Sequence, residues 1–556
     1  MASSSGTRLA RFFVYNSSFG PREGEEHKKV IFFHSEEEAR QIEERKDEDE
    51  DLEVPAEKSE DKVKHVGFAE ACANFSKVFF GPEEPVKAVQ TQRTKTSMFE
   101  AEPGYWMVLT VNLPYQKKRN KAGTSDYTEF NPEAVHDNVL NACLTHAHEM
   151  FRFFAGGFQH VMDEEEGDLE VFKERVSAFF SKYVNVHLRQ PGSDGILELF
   201  HAVQFLSLEM DGFTGVQGLV RRVQDDFPQV SRAVFLQEGN VVWSDLQQED
   251  TKLLYHYITK TLLPANSGSS LMSPTVPSRG PFAGHQGRYL TGGPVNVASL
   301  SDDPSHDFNT PVVHLMTEYL GDEDEEDDDL PEDGFCQRVP HHLIVYHALS
   351  ATMCLMVPAI HEMTDEFYKS FDANLGPIMT NISADLMDVF GVKNRSLVAS
   401  SGVITSPSTS SLSSLAGVAS VTSPLSGLTS PLTLTGGSSA DDPSQASVRF
   451  IYFNRFNRAM KSTLQGLTDE PGGQEVIRVM LDLSEHLDND QKGRHVGRPL
   501  EFCAKLSSDQ WVVAKSADQR QVYVVITSKC ANLMDAAEEV EKLMEKEFKN
   551  VCLFQQ

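Results

Sequence analysis

The stretch FFVYNSSFGPREGEEHKKVIFFH, residues 12–34, decides how the fold is interpreted. Two aromatic-rich apolar runs stand on either side of Gly20-Pro21 and a short charged connection. This is the pattern of an antiparallel hairpin, and we predict its strands over residues 9–19 and 29–34. The hairpin opens a unit whose parts return twice further along the chain.

Length and charge limit the possible functions. The chain has 556 residues, more than one hydrophobic core accommodates, so two to four domains are expected. Fifty basic residues against 82 acidic ones give a formal net charge of −32. This charge repels nucleic-acid phosphates and gives no global attraction to anionic membranes. We therefore expect no nucleic-acid partner, and any membrane contact has to be local.

No leader and no membrane span are expected. Residues 1–11, MASSSGTRLAR, contain no apolar run of the length that a signal peptide needs, which favours a cytosolic chain. The most apolar run, LIVYHALSATMCLMVPAI at 343–360, is marginal in length and interrupted by polar residues, so we predict a buried strand pair and keep a span as the alternative. The seven dispersed cysteines lack any CxxC spacing, which indicates reduced thiols without a disulfide framework or a zinc site.

The hairpin is followed by a helix, further strands and a closing helix, and this order occurs three times. The first unit continues with a helix over 65–80, extended segments over 86–99 and 105–111, and a helix from Asn131 with Pro132 at its first position. One face of that last helix carries Val135, Val139, Cys143, Ala147, Met150 and Phe154. The second unit has a hairpin at 230–246, a helix at 248–263, apolar segments at 312–316 and 343–357, and a helix at 362–390 that Gly391 is expected to end.

The third unit begins at 448, where FIYFN at 450–454 echoes FFVYN at 12–16. It continues with a helix at 474–487, a hairpin at 511–527 and an amphipathic helix at 532–549. We expect the buried face of the last helix to be Leu533, Ala537, Val540, Met544 and Phe548. Antiparallel hairpins with helices at their margins predict an α+β fold of three sheet-and-helix units.

Four stretches are unsuited to a core: the charged residues 36–63, the Ser/Pro/Gly-rich residues 265–285, the acidic block 321–334 and the Ser/Thr/Pro-rich tract 397–446. We predict them to be loops or disordered insertions. The predicted domains are residues 8–190 with the insertion 36–63, residues 195–395 with the loops 265–285 and 321–334, the disordered linker 397–446, and residues 447–556.

Motifs for bond chemistry are missing from the sequence. No phosphate loop, dinucleotide fingerprint, nucleophile elbow or HExxH helix occurs. His146 and His148 are two apart on a predicted helix and point in different directions, so we expect no metal site from them. The three tryptophans lie in apolar strands and are expected to be core or half-core residues, although Trp106, after a Pro-Gly turn, could instead anchor a partner.

One basic cluster stands out against the acidic background. YQKKRNKAG at 115–123 contains Lys117, Lys118, Arg119 and Lys121, which we predict to be a loop that contacts an anionic membrane, with a solvated loop as the alternative. The Ser/Thr-rich tract contains Ser-Pro pairs at Ser406, Ser423 and Ser430, which predict proline-directed phosphorylation.

The chain resembles the Ccz family of vacuolar fusion proteins in a set of segments that occur in the family's order. They are the stretch 12–34, FEAEPGYWMVLTV (99–111), FLQEGNVVWSDLQQEDTKLLYHYITKTLLP (235–264), GRYLTGGPVNV (287–297), HLIVYHALSA (342–351), FIYFN (450–454) and DQWVVAKSADQRQVYVVI (509–526). The resemblance implies three longin-like domains, each an antiparallel sheet flanked by helices, and a heterodimer with the similarly built Mon subunit through the first longin domains. It further implies guanine-nucleotide exchange on the Rab GTPase of late endosomes and the vacuole or lysosome, the "Rab seven" class, at a phosphoinositide-bearing membrane, without a cofactor. A longin scaffold or tether that binds a Rab without exchanging its nucleotide is the alternative, and a hydrolase without the usual motifs is a remote one.

For the contact with the GTPase, the resemblance directs attention to the helix predicted at 65–80 and to the strand rim beside it. The candidates are Glu70, Asn74, Lys77, Phe99, Glu100, Tyr105 and Trp106. We expect the opposite side of the helix to be buried through Val66, Ala69, Ala73 and Phe80. A solvated surface without a partner is the alternative for each helix residue.

Overall fold

The structure is a computed structural model that describes residues 7–37, 57–80, 88–119, 126–132, 135–189, 200–206, 208, 210–264, 287–291, 310–316, 338–400, 448–464, 472–493, 500–517, 519–527 and 532–547. The acidic block 321–334, the loop 265–285 and residues 401–446 of the Ser/Thr-rich tract lie outside this set, and so do residues 38–56 of the first charged stretch.

The first unit is a five-stranded antiparallel sheet with helices on both faces and a separate two-stranded hairpin. Its elements are β1 Arg8–Asn16, β2 Val30–Ser35, α1 Glu57–Phe80, β3 Ala88–Gln90, β4 Thr94–Glu102, β5 Tyr105–Asn112, the hairpin of β6 Tyr115–Arg119 and β7 Asp126–Phe130, α2 Asp137–Ala155, α3 Phe158–Glu164 and α4 Leu169–His187.

The second unit contains a six-stranded sheet. Its elements are α5 Met210–Asp226, β8 Arg232–Gln237, β9 Asn240–Ser244, α6 Gln248–Tyr257 with the π turn Ile258–Leu262, β10 Gly287–Thr291, β11 Val312–Met316, β12 Arg338–Ala348, β13 Ala351–Pro358 and α7 Asp365–Ser400. The apolar run 343–360 therefore forms the hairpin of β12 and β13, which confirms the predicted strand pair.

The third unit is again a five-stranded sheet. Its elements are β14 Val448–Asn454, β15 Met460–Ser462, α8 Gly473–Gly493, β16 Leu500–Lys505, β17 Trp511–Ala517, β18 Arg520–Ile526 and α9 Leu533–Glu547. Within the part of the chain that the structure describes, none of the helices combines the length and the apolar composition needed to cross a bilayer.

All three sheets share one strand order. Each follows the sequence second, first, fifth, fourth, third strand, seen as β2-β1-β5-β4-β3 and as β15-β14-β18-β17-β16. In the second unit the third position is divided between β10 and β11, which both pair with β12. The echoing pentapeptides lie in β1 and β14, the equivalent central strands, and Asn16 and Asn454 each accept a hydrogen bond from the main-chain N–H two residues on. The threefold repeat predicted from the hairpins is therefore a repeat of topology.

Side chains alternate along each strand, so the buried residues of a sheet divide between its two faces. In the first sheet Phe13 and Tyr15 face α1, while Phe12 and Val14 face the layer of α2, α3 and α4. Separate outer clusters also cover one face of the second sheet, under α5 and α7, and of the third sheet, under α9. The remaining faces of the three sheets contribute to one continuous apolar cluster, so the units are distinct sheets packed into one body.

Several boundaries differ from the sequence prediction. Helix α1 begins at Glu57, inside the stretch predicted as an insertion, and α2 begins at Asp137, with His136 as its N-cap in place of Asn131. His136 is extended and its Nδ1 accepts from Asn138 N, so its ring provides the capping group. Helix α7 continues through Gly391 to Ser400, because an internal glycine costs only about 1 kcal/mol, too little to end a helix by itself.

Two further expectations are corrected by tertiary packing. Leu533 is 50% exposed, and the buried face of α9 is formed by Ala536 and Val540. The basic segment 115–123 is not simply a loop, because Tyr115–Arg119 is a strand paired with Asp126–Phe130.

Candidate interaction surface

Helix α1 carries apolar residues on two faces. Val66, Ala69 and Ala73 are buried against the first sheet, as predicted, and the two alanines allow the helix to lie close to the strands. A second set, Phe68, Phe75 and Phe79, lies on the outside and is 50%, 57% and 67% exposed. The spacing of seven and four residues places these three rings on one stripe, hereafter the aromatic stripe. The rings of Phe75 and Phe79 stack with centroids 4.2 Å apart, and Val78 is exposed beside them.

The equivalent helices of the other units do not expose such a stripe. Helices α6 and α8 occupy the same place in the strand order, between the first hairpin and the third strand. Both contribute buried residues to the central cluster, and neither presents an exposed large apolar side chain among its described residues. Helix α1 is on the outside of the assembled units, and no other part of the described chain covers its aromatic stripe. An uncovered run of large apolar side chains of this kind marks an interaction surface.

The three predicted helix residues lie along a different edge of α1, hereafter the polar edge, defined as Glu70, Asn74 and Lys77. Glu70 accepts hydrogen bonds from Lys29 Nζ at 3.0 and 3.2 Å, which ties α1 to the turn before β2. Asn74 is exposed. Lys77 Nζ lies 3.8 Å from Glu100 Oε2 at the end of β4, so the polar edge continues onto the sheet.

Trp106 lies beneath the polar edge and contacts Lys77 and Tyr15. Its ring stacks on Tyr15 with centroids 6.4 Å apart, and Lys77 Nζ lies 5.3 Å from the Trp106 ring centroid. Trp106 is only 6% exposed, which confirms the core prediction for this residue and removes it as an exposed anchor. Burial raises the pKa of Tyr15, and the carboxylates of Glu70 and Glu100 raise it further, so its hydroxyl stays neutral. Tyr15 and Trp106 thus form a rigid floor under the charged side chains of Lys77 and Glu100.

Phe99 and Tyr105 belong to the opposite face of the sheet. Successive strand residues point to opposite faces of the sheet, so Phe99 lies on the face opposite to Glu100. Tyr105 lies on the face opposite to Trp106 for the same reason. Tyr105 is 3% exposed and stacks on Phe158 with centroids 5.3 Å apart. Phe99 is half-buried against the central cluster. The predicted strand rim is therefore divided by the sheet, and these two rings have an interior packing role instead of a place on the polar edge.

Glu102 fixes the strand end on that second face. Its Oε1 accepts from Phe158 N at 2.9 Å and lies 2.9 Å from His148 Nε2, and its Oε2 accepts from Gln159 N at 2.9 Å. Burial alone raises the pKa of Glu102, but the hydrogen bonds from His148 and the two main-chain N–H groups outweigh it and lower the pKa below its ordinary value. Gly104, at φ +82°, turns the chain from β4 to β5, a left-handed conformation that favours glycine. This anchor holds the strand end that carries Glu100.

The remaining predicted sites lie elsewhere. Lys117, Lys118 and Arg119 are on β6, where Lys117 is exposed, and Lys121 lies outside the described residues. The hairpin of β6 and β7 pairs with no other described strand. Ser406, Ser423 and Ser430 also lie outside the described residues, so phosphorylation stays a prediction.

Sequence reasoning found the polar edge and missed the aromatic stripe. A signal was present, because apolar residues at 68, 75 and 79 follow helical spacing just as 66, 69 and 73 do. The surface as a whole consists of paired charges and exposed rings beside a rigid floor. Surfaces that combine exposed aromatic rings with paired charges are suited to contact with another protein.

Comparisons with known proteins cover most of the chain. The family described as the first longin domain of INTU, CCZ1 and HPS4 matches residues 9–156, Intu longin-like domain 2 matches residues 230–376, and Intu longin-like domain 3 matches residues 444–543. The vacuolar fusion protein CCZ1 homolog of Tetraodon nigroviridis is 31% identical over 548 residues, covering 98% of this chain and 95% of that protein. The homolog of Danio rerio is 30% identical with the same coverage, and that of Dictyostelium discoideum is 22% identical over 98% of this chain and 97% of its own.

Proposed function

This chain belongs to the CCZ1 family of vacuolar fusion proteins, and from that premise we propose that it is one subunit of a heterodimeric guanine-nucleotide exchange factor. Its partner is the Mon longin subunit, and its substrate is the "Rab seven" class GTPase of late endosomes and the vacuole or lysosome. The names of the relatives place them in vacuolar fusion, and activation of that GTPase is the step of fusion that we assign to this protein.

The exposed outer face of α1 is the observation that carries the proposal. The three rings of the aromatic stripe are exposed in the isolated chain, and an exposed apolar surface of this kind promotes association with another protein. Permanent hetero-complexes bury surfaces of this apolar kind. We assign the aromatic stripe to the Mon subunit, whose first longin domain covers it.

The polar edge is assigned to the GTPase. A GTPase binds and leaves in every cycle, so its contact surface has to remain soluble when it is vacant, which charged groups allow and exposed aromatic rings do not. Lys77 and Glu100 stand side by side on the Tyr15 and Trp106 floor, and Asn74 is exposed one turn away. With the partner seated on the neighbouring stripe, the two first longin domains together form the platform.

Exchange on such a platform needs no covalent step. A GTPase holds its nucleotide through ordered switch segments and a magnesium ion, so a platform that binds the displaced switch conformation more tightly weakens nucleotide binding by that difference in free energy. An acceleration of about five powers of ten corresponds to roughly 7 kcal/mol, within the reach of a protein interface. The absence of hydrolytic motifs from the sequence is consistent with this mechanism.

The β6–β7 hairpin is assigned to the membrane. Lys117, Lys118 and Arg119 follow one another on β6, and Lys121 follows two residues later, in a chain whose overall net charge is −32. Each basic residue near an anionic bilayer contributes on the order of 1 kcal/mol. This local positive charge supports peripheral binding to a phosphoinositide-bearing surface.

Release of a fluorescent nucleotide from the GTPase tests the exchange function. The purified pair of this chain and the Mon subunit is expected to accelerate release strongly, whereas either chain alone is expected to do so weakly. A pair that binds the GTPase and leaves the release rate unchanged overturns the exchange function and supports the alternative of a scaffold or tether. A GTPase of a different compartment serves as the control for specificity.

A further inference from the structure

Three histidines from three separate segments meet in the interior. His146 lies on α2 of the first unit, His256 lies on α6 of the second unit, and His201 lies in the segment between the units. One ring nitrogen from each lies within 4.8 Å of one from each of the others. His146 is 4% exposed and His256 is 7% exposed, whereas His201 is partly buried.

The hydrogen bonds of His146 and His201 each use one ring nitrogen and leave the other ring nitrogen for a ligand. His146 Nδ1 lies 2.8 Å from the Tyr183 hydroxyl, and its Nε2 has no hydrogen-bond partner among the residues that the structure describes. His201 Nε2 donates to the Ala142 carbonyl at 3.0 Å, so in the neutral ring Nδ1 carries the lone pair.

His256 completes the set. Its Nε2 likewise has no hydrogen-bond partner within the described chain. Histidines that ligate a metal donate their other ring N–H to a carbonyl or another oxygen, as His201 does to the Ala142 carbonyl. Burial lowers the pKa of all three imidazoles, to about 3 for His201.

The backbone at His201 has a left-handed conformation. Its φ is +42°, a value that histidine, like asparagine and aspartate, adopts more often than other non-glycine residues. The neighbouring Val203 exchanges main-chain hydrogen bonds with the third unit at Arg458 and Met460, and the segment also pairs with Val241 of the second unit. Main-chain bonds to two units thus keep the imidazole of His201 against α2.

We propose that His146, His201 and His256 bind one zinc ion at the junction of the longin units. Three neutral imidazoles suit Zn²⁺ better than Mg²⁺ or Ca²⁺, which prefer oxygen ligands. A tetrahedral ion with Zn–N distances of about 2.0–2.1 Å needs ligand nitrogens about 3.3 Å apart, so binding draws the rings together from their present spread. The stacked rings of His146 and His201, with centroids 4.5 Å apart and an interplanar angle of 14°, rotate to converge on the ion.

Three basic side chains, Lys252, Lys260 and Arg458, face the cluster. Lys252, one turn before His256, is paired with Glu149 at 2.8 Å and with Glu249 at 2.5 Å, and Arg458 is paired with Glu249 at 2.8 Å, so these two positive charges are compensated. A bound ion links α2 of the first unit to α6 of the second through His201. The zinc ion therefore acts as a structural cross-link between units, in a place where the sequence shows no CxxC or HExxH motif.

Metal content and cobalt spectra of the full-length chain, purified without a polyhistidine tag, test this proposal. After equilibration with zinc chloride and gel filtration, wild type is expected to retain about one zinc ion per chain, and Co²⁺ is expected to give the intense visible bands of a tetrahedral nitrogen-bound ion. His201→Asn, which tolerates the left-handed φ, and His256→Gln are expected to lower the zinc affinity at least about tenfold. Tyr183→Phe is a milder variant, which removes the oxygen that orients His146 and is expected to weaken zinc binding by about tenfold.

His187→Gln is the matched control, because His187 lies 6.0 Å from His146 between ring centroids yet is not one of the three ligands. It is expected to retain zinc, and zinc is expected to raise the melting temperature of wild type and of this control by more than that of His201→Asn or His256→Gln. Wild type that binds no more zinc than His201→Asn shows that the cluster is a set of stacked neutral histidines and overturns the proposal. Cobalt bands of thiolate ligation, or zinc retained equally by all variants, place the ion elsewhere and also overturn it.

Discussion

Lys77 Nζ lies 5.3 Å from the centroid of the Trp106 ring, which joins α1 to the sheet beside Glu100. We expect Lys77→Gln to lower the exchange efficiency of the pair about fivefold, equivalent to roughly 1 kcal/mol, because the charge that meets the GTPase is lost. Lys77 is exposed, so the stability of the fold is expected to change by less than about 0.5 kcal/mol. Nucleotide-release kinetics and a thermal melt measure the two effects.

Lys62→Gln is the control for Lys77, because Lys62 lies on the same helix over the ring of Phe33 at 5.5 Å, away from Glu100. An equal loss of exchange in both variants argues against a specific contact at the polar edge. Trp106→Ala is less informative, since removal of a buried tryptophan costs about 3–5 kcal/mol of folding stability and confounds any loss of exchange.

The aromatic stripe gives a prediction about assembly. Phe75→Ser with Phe79→Ser is expected to weaken binding of the Mon subunit by about 30-fold or more, because two stacked rings at the centre of an apolar interface are lost. The chain alone is expected to melt at an unchanged or higher temperature, since both rings are mostly exposed. Phe456→Ser removes a ring that is 69% exposed on the third unit and serves as the control. Unchanged co-purification of the double variant contradicts the assignment of the stripe.

Much of the fold follows from local patterns in the sequence. The hairpins at 12–34, 230–246 and 511–527 and the crossover helices between strands were predictable because apolar periodicity and turn residues act over a few positions. The identical strand order of the three sheets follows once the three units are recognised. Helices α3, α4 and α5, in contrast, are not predicted from the sequence. Trp106 and Tyr105 lie on opposite faces of the first sheet because successive residues of a strand alternate between its faces. The assignment of this segment as a strand already implies that separation.

Other features depend on contacts between distant segments. Leu533 has the right spacing for burial and is nevertheless exposed, because nothing described packs on that end of α9. The three histidines come from elements separated by more than fifty residues, so no spacing rule reveals them. The outward position of α1, compared with α6 and α8, is set by how the units assemble, which the sequence of one unit does not specify.

Lys252 joins the first and second units and gives a prediction about stability. It is 3% exposed and bridges Glu149 on α2 and Glu249 on α6, and Glu249 also pairs with Arg458 of the third unit at 2.8 Å. Lys252→Met keeps the volume but leaves Glu149 without its lysine and Glu249 paired with Arg458 alone, so we expect a loss of about 3 kcal/mol and a lower melting temperature. Lys542→Met removes an exposed lysine that also bridges two carboxylates, and its melt is expected to be unchanged. Equal melts for the two variants contradict the role of Lys252.

Glu102 provides the pH-dependent prediction. Its pKa is lowered in the folded protein, because hydrogen bonds from His148, Gln159 and Phe158 outweigh the opposing effect of burial. A carboxylate with a lowered folded pKa contributes stability that is fully present above the ordinary glutamate pKa of about 4.3 and is lost as pH falls through the lower folded value. We therefore expect Glu102→Gln to melt below wild type near neutral pH, with a difference that shrinks as the pH falls below about 4.3.

Thermal melts of wild type and Glu102→Gln over a series of pH values measure this difference. Glu475→Gln is the control, because Glu475 also has a pKa lowered by hydrogen bonds from Ser507 but lies at the surface of the third unit, where solvent screens the effect. It is expected to change the pH profile little. If the difference in melting temperature between wild type and Glu102→Gln stays constant down to the lowest pH, the carboxylate charge contributes nothing to stability. Glu102 then acts only through its packing and its shape at the strand end. A gap that closes on acidification instead shows that the charge itself holds β4 against α3, and with it the position of Glu100 on the polar edge.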